Sequence, residues 1–487
     1  MSLPKKILIG LLALLVVAGL VFWWLTRPDR AELTLDQTTG TDPVLAEPDE
    51  QRIPTVAVAE PIGWPDGAAP EAAEGLSVNR FAEGLEHPRV LYTLPNGDVL
   101  VTLTNAPPGR DMGGGITNFI AGILFARAGA GVASPDQLVL LRDANADGQA
   151  EGRFVLRNDL SSPSGIAWAD GQLYIANHDA VLRFDYALGD TAVTGAPEKL
   201  MDLPPAGNHW MRNIVLNEDA TRLYVAVGSA SNFGERGMEI EEGRAAIHEL
   251  NLETGGSRLF GAGLRNPNGL AWNPWSGELW TTVNERDQLG SDLVPDYLTN
   301  VPVGVHYGWP WVYYKDVLDQ RVETPMPNFL IEYTRMPEFA LGPHVAALGL
   351  AFTQEGARMG PGFGAGAFVA RHGSWNRSPP AGYDVVFVAF DERGNPTGKP
   401  RPVLNSFLSG DGQTYGRPTW VAWDRTGALL VSDDTANIIW RVTAPGAAGA
   451  PAIERNSGAP LPPQRELRGD PARAFDEVPS APQPGAP

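Results

Sequence analysis

Residues 266–284 read NPNGLAWNPWSGELWTTVN. A turn rich in Asn, Pro and Gly leads into a short apolar strand, a polar turn follows, and a second apolar strand ends on Asn284. That is a hairpin with period-2 patterning and turn chemistry between its strands. The same pattern occurs five more times. It reads HPRVLYTLPNGDVLVTLT from His87, PSGIAWADGQLYIANH from Pro163 and MRNIVLNEDATRLYVAVGS from Met211. It returns as HVAALGLAF with GAFVARHGS from His344, and as RPTWVAWDRTGALLVSDD from Arg417. The copies start about 50 to 80 residues apart, at or above the spacing of propeller repeats, with long insertions between Asn105 and Pro135 and between Asp287 and Gly342. Repeated four-stranded units of this size close radially and so limit exposed strand edges. The fold expected is an all-β, six-bladed β-propeller, and a β-sandwich would have to produce six such matches by chance. Function in such a fold belongs at the strand ends, where loops from several blades converge.

Composition narrows the classes. The chain has 487 residues and 57 acidic against 37 basic side chains, a net charge of −20. Such a surface repels a phosphate backbone, which argues against nucleic-acid binding. There is no cysteine, which removes disulfides, thiolate metal sites and a cysteine nucleophile.

The ends differ from the body. Lys5 and Lys6 precede an uncharged apolar run, Ile7–Leu25, that ends beside Trp23 and Trp24. As a helix it would be ~28 Å long, close to the hydrocarbon thickness of a bilayer. A cleaved signal peptide would have a shorter apolar core and a small-x-small site, and WWLTRPDR offers none. Residues 1–27 therefore read as a cytoplasmic N-terminus and transmembrane anchor, which puts the remainder in the periplasm of a bacterial inner-membrane protein. Residues 28–76, rich in Asp, Glu, Pro and Ala, read as a disordered tether, and 444–487 as a disordered Pro/Ala-rich tail. The catalytic body is then 77–443.

Familiar catalytic motifs are missing. There is no HExxH or GxSxG, and GNPTGKP is one residue short of a phosphate loop. Polar residues instead gather at the ends of the repeat strands. These are His209 and Arg212; Arg265 and Asn266; Asn284, Glu285, Arg286 and Asp287; His344; His372, Asn376 and Arg377; and Arg417, Asp433 and Asp434. A cationic mouth on an anionic protein suits an anionic ligand. A single Arg or His at a strand end is usually a surface group; the functional reading gains because four consecutive copies are charged at the same place. Separately, DANADGQAE sets Asp143, Asn145 and Asp147 at calcium-loop positions 1, 3 and 5, Gly148 at 6 and Glu151 at 9, but Phe154 stands at position 12. A structural calcium ion and an Asx-rich turn are the two readings of that stretch.

GLRNPNGLAW, NERD, VPDYLTN, YGWPW, HVAALGLAF, HGSWNRSPPAGY, GRP and VSDD together resemble the glucose/sorbosone dehydrogenase family of quinoproteins, in particular its L-sorbosone dehydrogenase-like branch, from about Phe81 to Val442. The resemblance implies a propeller that binds pyrroloquinoline quinone (PQQ) and Ca2+ on its axis. It implies His209 as general base, with Arg265 stabilising developing negative charge. It implies cofactor contacts from Arg265, Asn266, Asn284, His344, His372, Arg417 and Asp434, and calcium on the backbone carbonyls of Glu285 and Arg286. The sequence departs from the family where a Lys on the fifth blade and an Arg-x-Arg on the sixth are replaced by HGSWNR and a lone Arg417, with Arg377 as the substitute cation. The implied activity is oxidation of an aldose or a sorbosone-like sugar aldehyde to a lactone or acid. Electrons would pass to a respiratory quinone or cytochrome. A calcium-dependent lactonase and a non-catalytic ligand-binding propeller are the competing readings, since fold alone does not choose among them.

Overall fold

Each repeat copy forms the two inner strands of one antiparallel sheet, and the sheets stand as blades around an axis. The computed structural model describes residues 3–26, 29–51, 55–109, 122–124 and 126–455. The inner strands of blades 1 to 6 are Pro88–Thr93, Gly165–Ala169, Ile214–Leu216, Asn266–Trp272, Ala347–Phe352 and Pro418–Trp423. Consecutive inner strands touch all the way round, and that of blade 6 returns to that of blade 1. The ring closes by exchange. Strand Ser77–Glu83, from ahead of blade 1, pairs with Ile438–Thr443 as the outermost strand of blade 6.

The glycines of the repeat explain how closely the blades meet. A Cβ on Gly165 would lie 2.5 Å from the Arg212 carbonyl oxygen of blade 3. On Gly269 it would lie 2.5 Å from Leu348 O of blade 5, and on Gly349 2.6 Å from Trp420 Cα of blade 6. A side chain at any of them would wedge two blades apart. Blades pack face to face, so the second strands are covered on both sides. All five residues of Val99–Leu103 and of Leu429–Asp433 are buried, where the repeat pattern alone suggested alternation.

The segment expected to be a free tether is instead laid along the propeller. Asp29 accepts the Ser291 amide at 2.6 Å, and Ala31 N–H donates to Ser378 O. Thr39–Gly40 adds a strand to the outer edge of blade 4. The chain then returns over the mouth, bonding from Asp49 to Leu289, from Gln51 to Gln288 and from Ala57 to Trp375. Trp64 packs among Phe407, Tyr415 and Trp440, and Glu71–Ala72 pairs with blade 5. Thr38, Thr39, Thr55 and Ala59 are buried. Composition underestimated this strap because its order comes from backbone bonds to existing strands and loops rather than from a core of its own. Residues 52–54 lie outside the described residues.

Helix α1, Leu3–Thr26, covers the apolar run. Its side chains are described at Pro4, Lys5 and 9–20, and among the described residues no helix is long and apolar enough to cross a membrane. At the other end, residues 444–455 still follow the propeller, with Ala450 bonded to Gly356 and Ala357. The tail from 456 lies outside the described residues.

Candidate functional site

The strand starts and ends converge on a cavity of about 350 Å³ at the axial mouth. His209, Arg265, Asn266, Asn284, Glu285, His344, His372 and Arg417 all line it. They reach it because every inner strand begins, and every second strand ends, at the same end of the propeller.

Arg417 precedes the inner strand of blade 6 and is 6% exposed. Its backbone N–H donates to Asp433 at 2.7 Å, and Nη2 donates to the Tyr383 hydroxyl at 2.9 Å, with the guanidinium 5.1 Å from that ring's centre. Its buried Nε has no partner, and among the described residues it forms no ion pair. Beside it, His372 Nε2 bonds the Asp434 carboxylate, which also takes Arg89. Burial would raise the Asp434 pKa, but His372 and Arg89 more than offset it and hold the group well below the usual carboxylate range. Burial lowers His372 despite Asp434.

Across the cavity, His209 Nδ1 meets Ser229 O at 2.9 Å and Ser229 Oγ at 3.1 Å. A carbonyl oxygen can only accept, so Nδ1 carries the proton. In the neutral form of the ring this tautomer leaves the lone pair on Nε2.

Arg265 is spent on the protein. Its N–H groups reach Asn232 O and Oδ1, Glu285 O at 2.6 Å, Asn284 O and Asp287 Oδ2 at 3.0 Å. It props the site rather than presenting a free fork for the developing charge expected of it. Asp287 also bonds His344 Nδ1 at 3.2 Å, while His344 Nε2 meets Gly290 O at 3.0 Å. Burial would lower His344, but these two acceptors outweigh it and its pKa is raised. Asp287 is lowered: burial works against this, and Arg265 and His344 prevail. The amides form a third group, with Asn266 and Asn268 Nδ2 both donating to Asn284 Oδ1. Asn266 Oδ1 is buried without a partner.

Several lining residues were not among those singled out in the sequence, Asp296, Arg89 and Trp210 among them. Asp296 accepts the Glu285 and Ala346 amides, and burial pushes it up to about 7. Arg89 is the second cation near Arg417. Its signal was an arginine inside the otherwise apolar start of the first repeat. Trp210 is a wall residue and packs over Arg89, 5.3 Å from guanidinium to ring. Val58 of the strap, Leu124 and Ala128 of the first insertion, and Trp375 complete the rim; residues 110–121 and 125 of that insertion lie outside the described residues.

Two expectations are corrected. Arg377 is not at the cavity. It bonds Pro379 O at 2.7 Å and faces Asp292, which itself receives the strap amides of Glu32 and Leu33. The loop after blade 5's second strand turns it toward the strap. The Arg286 side chain is fully buried behind the cavity, held by Glu285, Asp319 and the carbonyls of Pro310 and Val312, which leaves the expectation for its backbone carbonyl untouched. The mouth as a whole is also less cationic than expected, since Arg89 and Arg265 have carboxylate partners and Arg417 alone of the three has none.

Far from the mouth, oxygens of Asp143, Asp147 and Glu151 lie within 4.8 Å of one another. Asn145 donates to Asp147 and Glu151, and Asp143 and Asp147 accept the Gly148 and Gln149 amides. The stretch is thus an exposed Asx turn with three carboxylates gathered on it.

Residues 126–302 and 331–445 match the TrAA12-like family. An uncharacterised protein of Borreliella burgdorferi is 27% identical over 304 residues, 59% of this chain and 77% of that one. The aldose sugar dehydrogenase YliI of Escherichia coli is 40% identical over 118 residues, 21% of this chain and 29% of that enzyme. The holo form of the pyranose dehydrogenase PQQ domain from Coprinopsis cinerea has the same fold, with a TM-score of 0.59 at 20% identity over 79% of this chain and all of that one. With the match spanning five of six blades and well over half of the residues, the chain belongs to the TrAA12-like family.

Proposed function

We propose that the mouth binds PQQ and oxidises a sugar, an aldose or a sorbosone-like sugar aldehyde, to a lactone or acid. One observation carries the reading: an arginine that, among the described residues, has no ion pair and an unpartnered Nε shares one cavity with His209, whose Nδ1 is held against the Ser229 carbonyl. The similar Coprinopsis and E. coli proteins, named as a PQQ-dependent pyranose dehydrogenase and an aldose sugar dehydrogenase, support it.

The donor set suits a flat tricarboxylate. Arg417 offers a buried cation with a spare N–H, and Asn266 Oδ1 a buried acceptor. When bound, PQQ supplies an ortho-quinone that accepts the two electrons of the alcohol. The protein's part is position, proton transfer and exclusion of water. Arg417 and Arg89 hold carboxylate charge, and His209 Nε2 takes the proton of the sugar hydroxyl as general base. Ser229 keeps the imidazole in that tautomer. The His344–Asp287–Arg265 chain holds the opposite wall rigid, and Val58, Leu124, Trp210 and Trp375 narrow the rim. Calcium fits less well. The Glu285 carbonyl expected to bind it already accepts Arg265 Nη1 at 2.6 Å.

The apolar run of α1 anchors the protein in the inner membrane with the propeller in the periplasm, and a quinone or cytochrome takes the electrons. Titration with PQQ, read by quenching of Trp210 and Trp375, followed by a dye-linked assay over aldoses and aldehydes, tests the reading. Saturable binding and dye reduction support it, and no binding refutes it. The buried acceptor Asn266 Oδ1 leaves room for a second reading, a calcium-dependent lactonase. Lactone hydrolysis with calcium and without PQQ would select that one.

A further inference from the structure

The strap fixes more than the rim of the pocket. Thr26 ends α1, and Asp29 is already tied down, with its Oδ2 on the Ser291 amide and its N–H on the Thr55 hydroxyl. Three residue steps span at most roughly 11 Å of extended chain. Ser291 follows Gly290, whose carbonyl holds His344 Nε2 in the cavity wall. Two residues further, Ala31 bonds Ser378 O, and Glu32 and Leu33 bond Asp292, in loops at the mouth end of blades 5 and 4. The end of α1 is therefore held at the mouth end of the propeller, close to the cavity, and not at the opposite end where the turns within the hairpins lie.

The described side chains of α1 from 9 to 20 are all apolar and exposed. Ile9, Leu11, Leu12, Leu14, Leu15, Val16, Val17 and Leu20 find no partner surface among the described residues. A helix with no polar face needs an apolar environment on every side, which a bilayer provides and a docked protein does not. The described side chains alone are too few to span a bilayer, so the anchor reading rests on the full apolar run Ile7–Leu25 of the sequence, ~28 Å as a helix.

We propose that the propeller sits mouth-down on the outer surface of the bilayer that holds α1, so that the cavity opens toward the lipid headgroups. The inference rests on the membrane-anchor reading of α1 and is independent of the cofactor. The strap is the orienting device, with Asp29, Ser291, Asp292 and Ser378 as its pins. A pocket so placed exchanges sugar from the side and is within reach of lipid-dissolved partners.

The absence of cysteine makes the test direct. Full-length protein carries a single reporter cysteine, either Ile62→Cys beside the mouth or Val303→Cys at the opposite end, both at exposed positions. Each is labelled with a small fluorophore and reconstituted into phosphatidylcholine–phosphatidylglycerol vesicles containing headgroup-spin-labelled lipid. Flotation with the vesicles is scored first. The proposal predicts loss of most emission at position 62 and little at 303. It also predicts that Asp29→Ala, which cuts a pin and leaves α1 intact, reduces quenching at 62 without changing flotation. Flotation with equal quenching at both sites, or stronger quenching at 303, overturns the orientation while leaving the anchor standing. Failure to float overturns the anchor, and the orientation with it.

Discussion

Replacing Arg417 with Met should uncouple cofactor binding from folding. The side chain is buried, and its contacts within the protein are few: one bond to Tyr383 Oη and a ring contact with the same residue. Tyr383 keeps its own bond to Ser374 O at 2.8 Å when the guanidinium is gone, so the loss of stability should be about 1 kcal/mol. The ligand loses more. Removing a hydrogen bond to a charged group costs about 1.5–3 kcal/mol, which corresponds to a roughly 10- to 150-fold rise in Kd. Arg417→Lys should fall between, because it keeps the charge and gives up the planar fork and the stacking on Tyr383. The assay is fluorescence titration with PQQ, alongside thermal denaturation of the cofactor-free protein. An unchanged Kd for Arg417→Met would refute the assignment. So would a weakened Kd fully matched by collapse of the cofactor-free fold.

Asp296, raised to about 7 by burial, should favour the folded state below about pH 4 and surrender that contribution as pH rises to 7. Asp296→Asn should therefore flatten the fall in denaturation midpoint between those pH values, and parallel curves would count against it. Asp434 has the opposite sign. Its lowered pKa contributes stability above about pH 4 that is lost as pH falls further, and Asp434→Asn should cost about 3–5 kcal/mol at neutral pH by leaving Arg89 buried without its partner. Chemical denaturation at pH 7 and pH 3 checks both parts. Gly349→Ala should destabilise by about 1–3 kcal/mol or more, since its Cβ would meet the blade 6 backbone at 2.6 Å; a variant as stable as the parent would contradict the close blade contact.

The propeller could be read from the hairpin copies because each copy holds its own strands and turn. Local pattern and final structure coincide there, from Pro88 to Asp433. The convergence of His209, Arg265, His344, His372 and Arg417 followed from their shared place in the repeat. The strap could not be read in this way. Thr39, Thr55 and Ala57 borrow their partners from residues more than 250 positions away, which no local pattern records, and the sole hint was Trp64 in a polar stretch. Arg377 was misplaced for a related reason. Arg371 ends the strand and His372 follows it directly, but Arg377 lies on the loop beyond, whose course is set by the strap and Asp292. Asp296 was hidden inside VPDYLTN, where the resemblance drew attention to the motif and not to one buried carboxyl in it.

The central claim is that this cavity moves a proton from a sugar through His209 while bound PQQ takes the electrons. Anaerobic stopped-flow mixing of the PQQ-loaded protein with an aldose measures that step alone. A general base contributes about 10²–10⁴-fold, so His209→Ala should bind PQQ normally and slow its reduction by that factor. Reduction of PQQ at the parental rate in the His209→Ala protein would contradict the account.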